Sequence, residues 1–333
     1  MISPFLQLNT SQALYQQIVD YIIHQIESGR LKKDDDIPSI NVLAQSNKIS
    51  RDTVMMAYNE LKQNGIIKAI PGKGYYIRST NTNRQKNIFL LFDELNAFKE
   101  DLYQAFMVNL PSHFKVDLYF HHFNKKVFNQ LIADNAQSYH KYIIMPSNMP
   151  QTGASIDILP PEKVILLDQA ADHAAHSYPI IYQSFADDIY NGLLQASEKI
   201  KRYNQLILLF PGGKEPIGFK EGFIRFCIDH NLKYQVQTAL NPGTLQIGNL
   251  YLCIDNRDLI ELVKQIREKG YHTGEQIGLI SINDTALHEI IEGGITSIST
   301  DFKEMGRRLA QMVTHNESSR IKNPSRLIER HSL

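Results

Sequence analysis

Along the first part of the chain, Leu14, Ile18, Ile22 and Ile26 recur every four residues and put one apolar stripe on a helix from about Ser11 to Ser28. Ser11 stands at the N-cap position and Gly29 where such a helix stops. The charged loop LKKDDDIPSI follows, closed by Pro38 and Ser39. Ser39 is placed to cap a short second helix, INVLAQSN, with Val42 and Leu43 turned inward. Ser50 caps a third, RDTVMMAYNELKQNG, whose inner face is Val54, Tyr58 and Leu61 and which Gly65 ends. IIKAI, PGKG and YYIRS then read as strand, turn and strand. Two short helices around a tight turn predict a helix-turn-helix, and the added hairpin predicts a winged helix over residues 1–78.

Residues 79–87, within RSTNTNRQKN, are polar and aperiodic, which predicts a linker. From residue 88 to 333 the pattern changes. Continuous apolar runs recur at IFLLF, YIIMP, KVILLD, LILLF, LYLCI and IGLISI, as in strands buried on both faces. Helical patterns such as DDIYNGLLQASEKIK and RDLIELVKQIREKG separate them. This alternation predicts parallel sheets with right-handed crossovers, arranged as two doubly wound subdomains. The expected fold class is therefore α/β, with a mainly α winged helix in front.

Composition narrows the possibilities. A chain of 333 residues with 43% hydrophobic content has room for two or three globular domains. Lys and Arg number 35 and so do Asp and Glu, so any nucleic-acid binding must come from a local patch. Only Cys227 and Cys253 are present; they sit in apolar patterns and suit a reducing cytoplasm. No apolar run reaches membrane-spanning length, and MISPFLQLNT lacks the features of a secretory signal, so a cytoplasmic protein without membrane contact is expected.

AIPGKGYYI raises the question of a phosphate loop. A P-loop would need glycine at position 67 and Ser or Thr after Lys73, where Ile67 and Gly74 stand. LLFPGGKEP fails the same count at Leu208 and Glu215. No G-x-G-x-x-G and no G-x-S-x-G occurs. His173 and His176 lie near Asp168 and Asp172 without the spacing of a zinc motif, and His121 and His122 read as strand-end residues. The expectation is no catalytic residue, no metal and no cofactor.

Taken alone, PGKG is a hairpin turn with a solvated lysine. Beside it stands SRDTV, which opens the third helix with Ser50, Arg51 and Thr53 in its exposed first turn. Free N–H groups, the positive helix end and a guanidinium meet there, which suits the DNA major groove. Lys48, Arg51 and Lys73 form a basic cluster that Lys68 and Arg78 can join; Asp34, Asp35 and Asp36 oppose it.

In doubly wound sheets ligands sit at the C-terminal ends of strands. Those ends supply Asp93, Glu94, Asn96 and Phe98; Ser147 and Asn148; Asp168 and Gln169; Lys214 and Glu215; Asp255, Asn256 and Arg257; then Asn283 and Asp284. Carboxylates, amides and an aromatic ring suit a polyhydroxylated ligand, and each residue singly also suits a loop cap.

Residues 14–77, with P-S before the second helix, S-R-x-T-V in the third and G-x-G in the wing, resemble the DNA-binding domain of the GntR family of bacterial transcription regulators. The resemblance implies that Ser39, Ser50, Arg51, Thr53, Gly72, Lys73 and Gly74 face DNA. Asn41 stands where the family commonly has arginine, which removes a charge-assisted contact. Residues 88–333, with VILLD, GLISINDTALHEI and TSISTDFKEMGRRLA, look like the periplasmic-binding-protein-like effector domain of LacI-type repressors. That resemblance implies a cleft lined by Asp93, Phe98, Ser147, Asp168, Gln183, Asp255 or Asn256, and Asn283. Phe219 occupies the place of the usual effector-binding arginine; Arg225, Lys214 or Arg257 can substitute, or the ligand lacks the group that arginine holds. Together the two resemblances imply a regulator of carbohydrate genes, with a repressor the leading reading and the sign of regulation left open, binding double-stranded operator DNA as a homodimer and a monosaccharide as effector. A sugar-binding enzyme and a protein-binding adaptor, each with a winged-helix appendage, are the alternatives.

Overall fold

The computed structural model describes residues 13–82, 86–136, 138–240 and 245–333. Ser11, the expected first N-cap, lies outside the described residues, as do 83–85 of the expected linker. The chain forms two compact units, Met1–Gln85 and Lys86–Leu333.

In the first unit, α1 (Leu14–Glu27) buries Ile18, Val19, Ile22 and Ile26, while Leu14 at its first position stays 39% exposed. Ser39 caps α2 (Ile40–Asn47) by accepting from the Val42 amide at 3.3 Å. The stripe of this short helix runs through Ile40, Leu43 and Ala44, so Val42, expected inside, is 47% exposed. Ser50 caps α3 (Arg51–Gln63), accepting from the Thr53 amide at 3.1 Å. Val54, Ala57, Tyr58 and Leu61 are its buried face. The Tyr58 hydroxyl donates to the Pro38 carbonyl at 2.5 Å, which fixes α3 against the turn before α2.

The wing is a three-stranded antiparallel sheet, not a simple hairpin. β1 (Asp36–Ile37) pairs with β3 (Gly74–Ile77), which pairs with β2 (Ile67–Ile70). A two-residue strand inside an acidic loop carries no alternation to betray it. The Tyr75 ring meets Tyr58 edge-on at 4.8 Å and ties the wing to α3.

The second unit holds two six-stranded sheets. The first is built from β4 (Lys86–Phe92), β5 (Phe114–Phe120), β6 (Lys141–Ile144), β7 (Val164–Asp168) and β8 (Ile180–Tyr182). The strand β4 begins at Lys86, two positions before the expected start of the domain at residue 88. The second sheet takes β9 (Gln205–Leu209), β10 (Tyr234–Gln237), β11 (Asn249–Cys253), β12 (Gly278–Ile282) and β13 (Thr296–Thr300). Then β14 (Arg320–Lys322) returns to the first sheet and β15 (Ser325–Ile328) to the second. The orders are β14-β8-β7-β6-β4-β5 and β10-β9-β11-β12-β13-β15, parallel except for β13 with β15. In each sheet the chain adds one strand on one side and then reverses, so the switch points lie beside β4 and β9.

Helices cover the faces: α4 (Ala97–Asn109), α5 (Lys125–Asn135) and α6 (Gly153–Ile156), then α7 (Phe185–Gln195), α8 (Ser197–Ile200), α9 (Ile217–Asp229), α10 (Asn256–Glu268) and α11 (Ala286–Ile290). The last helix, α12 (Phe302–His315), follows a second-sheet strand but packs on α4 in the first half. Their contact is close: a Cβ on Gly306 would lie 2.2 Å from the Leu102 carbonyl oxygen. Gly222 plays the same part between α9 and α7, with the Ala186 carbonyl oxygen 2.2 Å from any Cβ. Among the described residues, no helix is long and apolar enough to cross a membrane.

Candidate nucleic-acid interface and ligand cleft

In the first unit, Arg51 lies exposed at the start of α3, beside the Ser50 cap. The hydroxyls of Ser50 and Thr53 are 2.8 Å apart, so both belong to the cap itself. Ser39 has the same double character at α2, followed by exposed Asn41. Lys48 takes a left-handed conformation, φ 54°, in the turn between the two helices and is exposed. Gly72 and Gly74, at φ 74° and 110°, flank exposed Lys73 at the wing tip, positions that side-chain-bearing residues adopt only with strain. Among the described residues, Lys48, Arg51 and Lys73 make no ion pair. Lys68 departs from expectation: its ammonium pairs with Asp34 at 2.5 Å and is not free for the basic cluster. The sequence reading passed over Met55 and Met56, 45% and 54% exposed on the same helix.

In the second unit, the C-terminal ends of β4, β6, β7, β9, β11 and β12 converge on a cleft of about 230 Å³. That is slightly below the usual range of roughly 300–1,000 Å³ for ligand sites and suits a small molecule. All nine residues expected there line it: Asp93, Asn96 and Phe98; Ser147, Asp168 and Gln183; Asp255, Asn256 and Asn283. Three sit in left-handed backbone, Ser147 at φ 55°, Asp168 at 75° and Asn283 at 64°. Each such residue costs on the order of 1 kcal/mol or more, and such strain concentrates at functional sites.

Several of these side chains already have partners. Asp93 is buried, paired with the Lys99 ammonium, and accepts from Ser147 Oγ at 2.8 Å and from the Glu94 amide at 2.6 Å. Its carboxylate is thus a fixed part of the floor and not the open acceptor for vicinal hydroxyls that its position suggested. Asn96 caps α4 through the Lys99 amide, and Asp255 caps α10 through the Arg257 amide. Asp168 accepts from Gln183 Nε2 at 2.5 Å. Burial pushes its carboxyl above the usual range, with Lys99 opposing and Asp93 reinforcing the rise. Asn256 Oδ1 is 3.1 Å from His288 Nε2.

The walls are aromatic. Phe98 stacks on Phe302 at 4.8 Å and 28°, on the first-sheet side. Phe185 meets Phe219 edge-on at 5.1 Å on the other. Phe123, Phe185, Phe302, Lys99 and Thr285 were not anticipated as lining residues. Phe123 obeys the strand-end rule, two residues after His121 at the end of β5. Lys99 stands in the first turn of α4, six residues after Asp93, whereas Phe302 arrives through helix packing, which leaves no local sign.

Of the three cations named as substitutes for arginine, Lys214 alone lines the cleft. Arg225 lies outside it, bonded to Asp187 at 2.9 Å and stacked over Tyr190 at 4.5 Å. Arg257 does not reach it either. Asp284 also turns away, gripped by Arg330 through both oxygens at 2.6 and 2.8 Å. His173 stands exposed, 3.4 Å from Asp172. Cys227 and Cys253 are buried thiols.

Residues 14–77 match the family described as bacterial regulatory proteins, gntR family, and residues 221–333 match the periplasmic binding protein-like domain. The Escherichia coli (strain K12) mannosyl-D-glycerate transport/metabolism system repressor MngR is 36% identical over 81 residues, 24% of this chain and 34% of that protein. The chain thus spans about a third of that relative's length. The HTH-type transcriptional repressor YtrA of Bacillus subtilis (strain 168) is 30% identical over 95 residues, 28% of this chain and 69% of that protein. A LacI family transcriptional regulator from Lactobacillus casei, solved with bound glucose, superposes with a TM-score of 0.60 at 12% identity. It covers 74% of this chain and 99% of that one, a likeness of fold. With the winged helix matched from α1 to β3 and YtrA aligned over more than two thirds of its length, the chain belongs to the gntR family of bacterial regulatory proteins.

Proposed function

We propose that this chain is a ligand-responsive transcription repressor, with no enzymatic activity, acting in the cytoplasm on carbohydrate-utilisation genes. The observation that carries the reading is one chain holding both an exposed, capped helix end with Arg51 and a strand-end cleft with aromatic walls. In this reading residues 1–78 bind double-stranded operator DNA. Arg51 and Asn41 reach base edges or phosphates, and Lys48, Lys73, Ser39, Ser50 and Thr53 hold the backbone. Gly72 and Gly74 let the wing approach it closely. Residues 79–87 link this reader to an effector and dimerisation domain, 88–333, and a homodimer reads a near-palindromic site.

A monosaccharide binds in the cleft through Asp168, Gln183, Asn256 and Asn283, with Phe98 against its ring; Asp93, Ser147, Asn96 and Asp255 keep the binding groups in place. Support for a sugar comes from the glucose bound to the Lactobacillus casei regulator and from the mannosyl-D-glycerate system that MngR represses. Sugar binding shifts the population between arrangements of the effector domain, and DNA affinity follows. The test is selection of operator sequences from a random pool, followed by anisotropy titration of the selected duplex with and without a sugar panel. Failure to enrich any sequence would sink the DNA-reader assignment; enrichment with no sugar response would sink the effector assignment.

A further inference from the structure

Resting on the reading of the cleft as a sugar site, its charge and unpaired groups narrow the ligand further. Five carboxylates and two lysines line it. Both lysines are engaged, Lys99 with Asp93 and Lys214 with Glu94. Among the described residues Asp168, Glu215 and Asp255 form no ion pair with a lysine or arginine; Lys99 acts on Asp168 and Lys214 on Glu215 and Asp255 only through space, so five carboxylates face two ammonium groups in the cleft. Glu215 is the most exposed to this deficit. Its Oε2 is buried with no hydrogen-bond partner, and burial holds its carboxyl above the usual range, opposed by its own backbone amide and by Lys214 and reinforced by the Asp255 and Glu94 charges. Among the described residues that line the cleft, Thr285 Oγ1 is a further buried oxygen without a partner.

An unpartnered buried carboxylate oxygen is costly unless a bound molecule satisfies it. A dianionic ligand would add repulsion to a cleft already short of positive charge, whereas a bare metal ion would leave the aromatic walls unused. We propose that the cleft is built for a polyol carrying a protonated amine, an amino sugar, with Glu215 receiving the ammonium group and Thr285 a neighbouring hydroxyl. Glu215 is then the specificity-determining residue: it selects amine over hydroxyl and both over phosphate.

Calorimetric titration of the full chain, below the pKa of the amine, tests this with matched probes. These are D-glucosamine, D-glucose, N-acetyl-D-glucosamine and D-glucose 6-phosphate, with the corresponding galactose series. The amine is expected to bind roughly tenfold tighter than the neutral sugar of the same series, a difference of about 1.4 kcal/mol, and the phosphate not to bind. Glu215→Gln should erase the amine's advantage while keeping affinity for the neutral sugar. Equal or tighter binding of a neutral or phosphorylated sugar by the unmodified chain overturns the proposal whether or not the variant folds. So does an amine advantage that survives in Glu215→Gln. Silence across both series sinks the sugar reading itself and this inference with it.

Discussion

The Lys214 ammonium lies 2.8 Å from one oxygen of Glu94 and 3.1 Å from the other, joining residues 120 positions apart. Glu94 follows β4 of the first sheet and Lys214 follows β9 of the second, so the pair spans the cleft beside both switch points. Asn148 adds a second link, donating to the Lys214 carbonyl at 3.2 Å. A partly exposed pair contributes about 0–1 kcal/mol to stability, so its removal should act mainly on the cleft. Lys214→Met is expected to weaken binding of a neutral sugar several-fold, because the link across the cleft is lost, while chemical unfolding stays within about 1 kcal/mol of the parent. Unchanged affinity in calorimetric titration would make the pair a passive surface contact.

At the other end of the chain, Arg51→Ala should abolish specific operator binding and leave the melting temperature unaltered, because the guanidinium is exposed and supports no packing. Ser50→Ala behaves differently. It removes the acceptor of the Thr53 amide and should cost about 1 kcal/mol of stability in urea unfolding, with a partial loss of DNA affinity. A Ser50 variant as stable as the parent would show that the cap is dispensable.

Asp168→Ala and Asn283→Ala should each remove the sugar response in the anisotropy assay and preserve DNA binding. Both line the cleft in left-handed backbone, far in sequence from the reader. A normal response in both variants would mean that the ligand sits elsewhere.

Gly306→Ala tests the junction of α12 and α4. Its Cβ would sit 2.2 Å from one backbone atom, the Leu102 oxygen, and 2.9 Å from another, the Phe106 nitrogen, so no flexible side chain can yield. Overpacking of this kind costs about 1–3 kcal/mol, read as a lower urea midpoint at unchanged slope. A midpoint equal to the parent's would show that the helices separate freely.

The pH dependence of folding turns on His140. Its ring is held down to about 4, by burial first and then by Lys86, Lys141 and Lys163, against an ordinary 6.5. The unfolded chain therefore binds a proton that the folded chain refuses between those values. The contribution of His140 to stability is fully present above pH 6.5 and is lost as pH falls from there toward 4. His113 and His121 are lowered in the same direction, chiefly by burial. Urea unfolding across this window should show the decline, and His140→Gln should flatten part of it; an identical slope in the variant would assign the effect to the other two.

Much of this protein was legible in one dimension. The caps at Ser39 and Ser50, the wing glycines and the six apolar strand runs are local signals, because helix capping, positive φ and strand burial each act within a few residues. Eight of the nine expected residues that line the cleft stand where buried parallel strands switch from apolar to polar; Gln183 was implied only by the resemblance to LacI-type effector domains. What those side chains do once gathered was decided by tertiary structure. Lys99 reaches Asp93 from only six positions away, but Phe302, Phe185 and Lys214 across from Glu94 come from helices and a loop that only long-range packing brings near. So it is that Asp93 is consumed by Lys99, Lys68 by Asp34 and Asp284 by Arg330, while one oxygen of Glu215 is left without a hydrogen bond. Charge compensation acts through space over a few ångströms, and sequence separation says nothing about it.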